Sequence, residues 1–388
     1  MLGQPLTGNR LRIGLVVPGF SADEQDWAIP VLQSLASGLA KSHDVHVFAM
    51  RYPPEHRQYS LGDVTVRSLG GADIGGPRRA KLLVRTLAAI RQEAHRRPFD
   101  LLHAFWADEP GFVAAAAGRL LRIPIVVSLM GGELVGLANI AYGSQLSRLN
   151  PFLIRTALGS ANRVTAGSLA LKRLAAGRQP TVDPLLLPLG VDTQRFRPGQ
   201  VEPEASPLRA GSFNLLQVAS LSPVKDHPTA LRALQLLHAQ GAQVHLHLVG
   251  EGPAEPEVRR TIAGLGLEAQ VTLHGWVPHD RMPDYYRAAD VCLLTSVYEA
   301  QAMTVLEAAA CGRPVVGTAV GVLPELAPAA QSVPVGSERA LAEAILALID
   351  DPARRQRLGA AGRSMVMERY GLNDCLDSMD QVYHELAA

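Results

Sequence analysis

Short apolar runs alternate with stretches of helical periodicity along the whole chain. Residues 11–17, 45–50, 64–69, 101–105, 125–129 and 185–187 are rich in Val, Ile and Leu and predict strands. Residues 29–41, 78–96, 111–121 and 168–176 predict the helices between them. A second set follows, with strands at 213–219, 244–249, 271–273, 291–294 and 314–318 and helices at 228–240, 256–264, 281–289, 303–311 and 339–350. Such alternation is that of an α/β protein built on doubly wound parallel sheets. Residues 194–211, with three prolines and few apolar positions, predict a linker. The expected organisation is therefore a Rossmann-like domain over 1–195 and a second over 196–371, facing a central cleft. The tail from 354 is helical in character, and its last helix, about 372–388, is expected to cross back to the first domain.

Composition fits that picture: 47% hydrophobic and 19% charged residues over 388 positions describe two packed cores and not a disordered chain. Cys292, Cys311 and Cys375 are far apart and form no C-x-x-C pair, so neither a disulfide framework nor a zinc site is indicated. The first ten residues are polar, and no run approaches a bilayer span. A cytoplasmic protein is expected. The net charge of +1 hides an asymmetry of +9 over residues 1–200 and −8 over 201–388. Arg78, Arg79, Lys81, Arg85, Arg91, Arg96 and Arg97 supply much of the basic excess. Peripheral contact with an anionic membrane face is one reading of them, and a solvated basic helix is the other. No nucleic-acid partner is expected.

The most informative stretch runs from Ser296 to Pro314, where Glu299 and Glu307 stand eight positions apart. Glu299 falls on a loop at the carboxyl end of the strand at 291–294, and Glu307 lies in the helix that follows. Ligands bind at this edge of open α/β sheets. The amides near Met303 and Thr304, at the helix start, suit an anion such as a diphosphate, and carboxylates suit sugar hydroxyls. No G-x-G-x-x-G follows the first strand, and there is no P-loop. No Asp-x-Asp pair occurs to hold a diphosphate through a cation.

The motifs come in a recognisable order. Residues 188–198 read PLGVDTQRFRP, 217–227 read QVASLSPVKDH, 248–253 read LVGEGP, and 274–277 read HGWV; the stretch 299–314 follows, and 316–325 read VGTAVGVLPE. This set resembles the family 4 glycosyltransferases of the GT-B fold, from about Leu11 onward. The resemblance implies a retaining transfer of a hexose from a nucleotide diphosphate sugar to a hydroxyl of a glycan, glycolipid or small metabolite. No other cofactor and no metal are implied. Lys225 would contact the diphosphate, Glu307 the ribose and Glu299 the donor sugar; His103, a catalytic candidate, is either a polar group near the acceptor or a satisfied core histidine. Ser220, Gly250, Met303, Thr304, Val305, Gln301, Val277 and Gly19 would complete the donor site. Asp26, Trp27, Trp106 and Glu133 are acceptor candidates.

Three departures from the family pattern stand out. Ser220 occupies a position where many members have arginine, Ala300-Gln301-Ala302 replaces Gly-Phe-Gly, and Phe105 replaces the second histidine of a His-x-His strand end. They keep open a non-catalytic relative that binds nucleotide sugar or glycan; a GT-B epimerase or phosphorylase is a further alternative.

Overall fold

The computed structural model describes residues 10–26, 28–72, 76–202 and 206–388, so Trp27 lies outside the described residues. The first sheet contains β1 (Arg12–Gly19), β2 (Asp44–Tyr52), β3 (Gln58–Leu61), β4 (Val64–Ser68), β5 (Leu101–Phe105), β6 (Ile125–Leu129), β7 (Arg163–Ala166) and β8 (Leu185–Leu186). Their order is β3-β4-β2-β1-β5-β6-β7-β8, parallel throughout except for the antiparallel edge strand β3. The second sheet contains β9 (Phe213–Val218), β10 (Val244–Val249), β11 (Val271–Leu273), β12 (Val291–Leu294), β13 (Val315–Thr318) and β14 (Gln331–Val333), all parallel, in the order β11-β10-β9-β12-β13-β14. Each sheet reverses direction beside its first strand, between β1 and β5 and between β9 and β12. Loops at those two points diverge and leave a crevice at the carboxyl edge.

The first sheet is covered by α1 (Pro30–Leu39), α2 (Arg79–Arg96), α3 (Glu109–Leu121), α4 (Asn150–Ser160) and α5 (Leu169–Arg178). The second carries α6 (His227–Ala239), α7 (Glu255–Leu265), α8 (Met282–Ala288), α9 (Met303–Ala310) and α10 (Glu338–Asp350). Two core clusters line the faces of each sheet, so β5, β6 and β10 are buried at every position. The helical tail is two helices, α11 (Pro352–Arg369) and α12 (Leu372–Ala387), broken at Tyr370 and Gly371. The break is where the chain crosses: Val191 N–H donates to Tyr370 O at 2.8 Å and Leu372 N–H to Val191 O at 2.9 Å. A Cβ at Gly190 would come within 2.4 Å of Leu372 Cα, so this crossing requires glycine. Beyond it, Leu376, Met379, Val382 and Tyr383 of α12 join the core formed by α1 and β1.

Burial has a consequence for acid stability. It lowers the pKa of His103 to about 3, of His227 to about 4 and of His247 to about 3. The unfolded chain protonates these imidazoles near pH 6.5 while the folded chain does not, so stability falls as pH drops below 6.5. Burial pushes Glu133 up to about 7, which acts with opposite sign between pH 4.5 and 7. Burial also lowers the pKa of His245 to about 4, and these four histidines outweigh Glu133 together with Asp108 and Glu325, which burial also raises. Urea unfolding at pH 5 should give a stability lower than at pH 7.5 by several kcal/mol, since each unit of pKa difference is about 1.4 kcal/mol per group; equal midpoints would contradict the assignment.

Candidate active site

Two adjoining cavities occupy the crevice. The larger, about 450 Å³, is lined by Ser220, Gly250, Val277, Met303, Thr304 and Glu307 of the second domain, with Ala28, Pro30 and Val31 opposite. The smaller, about 180 Å³, lies between Glu299, Gln301 and Met303 on one side and Ser128, Met130, Tyr142 and Thr165 on the other. Met303 and Val31 border both.

Glu307 is held by its own domain. Tyr286 Oη donates to Oε2 at 2.8 Å, and His279 Nε2 stands 3.0 Å from Oε1. Arg195 reaches His279 Nδ1 at 3.4 Å, and because a guanidinium only donates, Nδ1 accepts and Nε2 carries the proton given to Glu307. Burial, first, and then the Glu307 charge hold the Tyr286 hydroxyl well above its usual pKa, so it remains a donor. The carboxylate is thereby oriented by two fixed donors at the wall of the larger cavity. Neither His279 nor Tyr286 was anticipated from sequence, although His279 lies just beyond the quoted HGWV motif.

Lys225 and Glu299 meet across the reversal point of the second sheet. Lys225, in the turn after β9, donates from Nζ to Glu299 Oε1 at 2.6 Å, and Ser296 Oγ donates to the same oxygen at 2.6 Å. Their loops are laced together: Thr295 Oγ1 donates to Lys225 O at 2.8 Å, Val297 N–H to Val224 O at 2.8 Å, and Gln217 Nε2 to Thr295 Oγ1 at 2.9 Å. Ser220 is exposed at the mouth, 3.1 Å from Ser222 through their hydroxyls.

The start of α9 faces the crevice. Its first N–H groups have no partner within the helix, and Val305 N–H turns back to Ala302 O at 3.1 Å. Ala302, the residue before the helix, has φ 70° and ψ 72°. A side chain in this left-handed region costs roughly 1–2 kcal/mol. Ala302→Gly should therefore raise unfolding stability by about 1 kcal/mol, read from the urea midpoint. A decrease would show that the Ala302 methyl, packed in the second domain's core, matters more than the backbone.

Several sequence-predicted residues lie elsewhere. His103 is fully buried in β5, bonded through Nδ1 to Tyr383 Oη at 2.6 Å and through Nε2 to Ser128 Oγ at 2.7 Å. With both nitrogens occupied and no opening to either cavity, it is a core histidine joining α12 to the first sheet, not a catalytic group. Glu133 is also fully buried; its carboxylate accepts Met130 N–H at 2.8 Å and Gly131 N–H at 2.6 Å, so it folds this loop instead of facing an acceptor. Val305 belongs to the second domain's core. Gly19 is buried at the end of β1 and lines neither cavity. Asp26 is turned onto Ala22 N–H at 2.7 Å. Trp106, with φ 72°, packs half-buried against the first domain's core.

Gln301 lines the smaller cavity beside Glu299 and also holds the domain junction. Its amide donates to Leu189 O at 2.7 Å and accepts from Leu189 N–H at 2.9 Å, which ties the two domains together. Ser168 Oγ donates to Ala300 O at 2.5 Å, Tyr298 Oη to Gly131 O at 2.9 Å, and Leu169 N–H to Glu325 Oε1 at 2.8 Å. The Ala300-Gln301-Ala302 segment is thus the junction that closes the crevice. Among the described residues no group of three or more His, Cys, Asp or Glu is placed to hold a metal ion, and no helix is long and apolar enough to cross a membrane.

Comparison with known proteins agrees with this architecture. The family model "Glycosyltransferase Family 4" matches residues 30–195, and "Glycosyl transferases group 1" matches 200–365. D-inositol 3-phosphate glycosyltransferase 1 of Catenulispora acidiphila is 32% identical over 310 residues, covering 74% of this chain and 72% of the relative. The chain belongs to the family 4 glycosyltransferases. Its fold is GT-B. Sucrose-phosphate synthase from Thermosynechococcus elongatus superposes with a TM-score of 0.82 at 23% identity, over 97% of this chain and 99% of that one. The Anabaena protein HepE in complex with UDP-glucose gives 0.76 at 20% identity, over 97% and 100%. For this family 4 glycosyltransferase, the two matched segments correspond to the two sheets, with the crevice between them.

Proposed function

We propose that this glycosyltransferase moves a hexose from a nucleotide diphosphate sugar to a hydroxyl acceptor, with retention of anomeric configuration and without a bound metal. The observation that carries the reading is the joint placement of Glu307 and the α9 N-terminus on one cavity and, on the next, of Glu299 with Lys225 bonded to it. In this arrangement Glu307 accepts from the ribose hydroxyls. The α9 amides and Lys225 take the diphosphate, whose negative charge grows as its bond to the sugar breaks. Glu299 accepts from a sugar hydroxyl and keeps Lys225 aimed. The acceptor oxygen bonds to the anomeric carbon on the face that the diphosphate leaves, and its proton passes to a departing phosphate oxygen. We take the protein to act in the cytoplasm, in keeping with three buried, unpaired cysteines.

A donor screen tests this directly. UDP- and GDP-hexoses are incubated in chelator with small hydroxylated acceptors and cell extract, nucleotide release is followed, and the product's anomer is read by NMR. Acceptor-dependent release with a retained anomer is expected. Inversion, or release that needs a divalent ion, would overturn the corresponding part of the reading.

A further inference from the structure

The charge asymmetry of the first domain invites a surface partner, but the structure moves it away from the basic helix α2. Three of the cations singled out there or beside it are ion-paired: Arg79 with Glu109, Arg96 with Glu93 at 3.2 Å, and Arg97 with Asp44 at 3.0 Å. A different region stands out. From 134 to 182 the chain has no Asp or Glu at all, yet holds Arg148, Arg155, Arg163, Lys172, Arg173 and Arg178; Arg163 pairs with Glu385 at 3.7 Å and Lys172 with Asp183 at 3.0 Å, whereas Arg148 and Arg155 enter no salt bridge among the described residues.

Within that stretch, Leu146, Leu149 and Phe152 are 46%, 47% and 61% exposed. They begin in the turn Ser144–Leu146 and continue into α4. Leu149 and Phe152 are three apart, so they share a face, and Arg155 continues it one turn on. The opposite face of α4, with Leu153, Ile154, Ala157 and Leu158, is buried against the first sheet and α3. From Phe152 to Ile154 α4 is therefore apolar on both its outward and its buried face, and the outward apolar side chains alternate with exposed Arg148 and Arg155. An aromatic and aliphatic tip framed by arginines, without a neighbouring acid in sequence, matches the chemistry of an anionic bilayer surface: apolar groups enter the acyl boundary while guanidinium groups meet the phosphates.

The position relative to the crevice agrees. Tyr142 lines the smaller cavity. Four residues on, Leu146 begins the exposed patch, and the intervening turn is fastened by Gln145 Nε2 to Glu133 O at 2.7 Å and by Ser144 Oγ to Asp108 Oδ2 at 2.8 Å. A surface held at Leu146–Phe152 would stand beside the mouth of the acceptor side.

We propose that Leu146, Leu149 and Phe152, with Arg148 and Arg155, form a docking surface for an anionic lipid bilayer. Membrane docking is independent of donor chemistry, so its test does not rest on turnover. The full chain is sedimented with vesicles of phosphatidylglycerol and phosphatidylcholine, and with phosphatidylcholine alone, at low and high salt. Binding to the anionic vesicles alone, weakened by salt, is expected. Leu149→Glu/Phe152→Glu should lower the partition coefficient at least ten-fold, and Arg148→Ser and Arg155→Ser roughly five-fold each, with an unchanged melting temperature confirming the fold. Charge reversal at Lys81 and Arg91 on α2 should have a much smaller effect than the α4 variants. No binding to anionic vesicles at low salt would overturn the proposal, as would binding indifferent to the α4 variants. A dimer in light scattering that the Leu149→Glu/Phe152→Glu variant dissociates would assign the patch to a second copy of the chain and overturn it equally.

Discussion

Lys225→Ala is expected to lower turnover by two to three orders of magnitude while the protein unfolds at nearly the same temperature. Among the described residues the lysine is the one cationic side chain bonded to Glu299, at 2.6 Å. In the proposed reaction it faces a diphosphate whose charge increases at the transition state. A donor aimed at developing charge in a sheltered site is worth about 100- to 1,000-fold when removed. Its contribution to folding is far smaller. Lys225 and Glu299 both retain some solvent contact, and a partly exposed ion pair contributes about 1 kcal/mol or less. Ser296 continues to bond Glu299 in the variant. The split between activity and stability distinguishes a chemical role from a structural one: steady-state kinetics beside a thermal melt would show it. A variant that turns over normally would remove Lys225 from the mechanism.

Glu307→Ala should behave differently, with a loss in both stability and donor affinity. Truncation strands the buried Tyr286 hydroxyl and removes one partner of the half-buried His279. An unpaired buried polar group costs about 1–3 kcal/mol, so a loss of roughly 1–3 kcal/mol is expected. The ribose contact is the same before and during sugar transfer, so its removal acts on binding: KM for the donor should rise at least ten-fold with a smaller change in kcat. Kinetics are read well below the lowered melting temperature. An unchanged donor KM would show that Glu307 serves only to hold α8 and α9 together.

The alternation of the two domains was legible because parallel strands buried on both faces are continuous apolar runs. The elements missing from the sequence reading are those where that signal fails. Edge strand β3 is Gln58–Leu61, with polar side chains and little burial, and β14 is three residues long. Four-residue β7 opens on an exposed arginine, and α4, apolar on both faces from Phe152 to Ile154, shows no clear helical stripe. The break between α11 and α12, at Tyr370 and Gly371, lies beside the start expected for the last helix, about 372, and pairs with Val191 far away in sequence.

At the site, Lys225, Glu299 and Glu307 were legible from motif order, since each follows a strand at the carboxyl edge. For His103 both a site role and a core role stood open, and the inward turn of Glu133 was not legible. Sequence places both near that edge but does not say which way a side chain turns. In a sheet covered on both faces, either direction from β5 leads into a core, and there His103 finds Tyr383 from a helix 280 residues on. An acid after a Gly-Gly turn can reach outward or fold back on its own amides, and Glu133 folds back. Gln301 shows a related limit: its place beside Glu299 on the smaller cavity was legible, but the closing of the domain junction by its amide on Leu189 was not.

Thermal unfolding with UDP, GDP and ADP, each in excess chelator, tests the proposed donor site most directly. A ligand at 100 times its Kd adds about 2.7 kcal/mol to the folded state. At least one of the three should therefore raise the melting temperature by roughly 3 °C or more, with no further rise when magnesium replaces the chelator, and with the rise roughly halved in Glu307→Ala at the same concentration. If none of the three shifts the transition, or if the shift appears only with a divalent ion, the metal-free donor cleft built on Glu307, the α9 amides and Lys225 is contradicted.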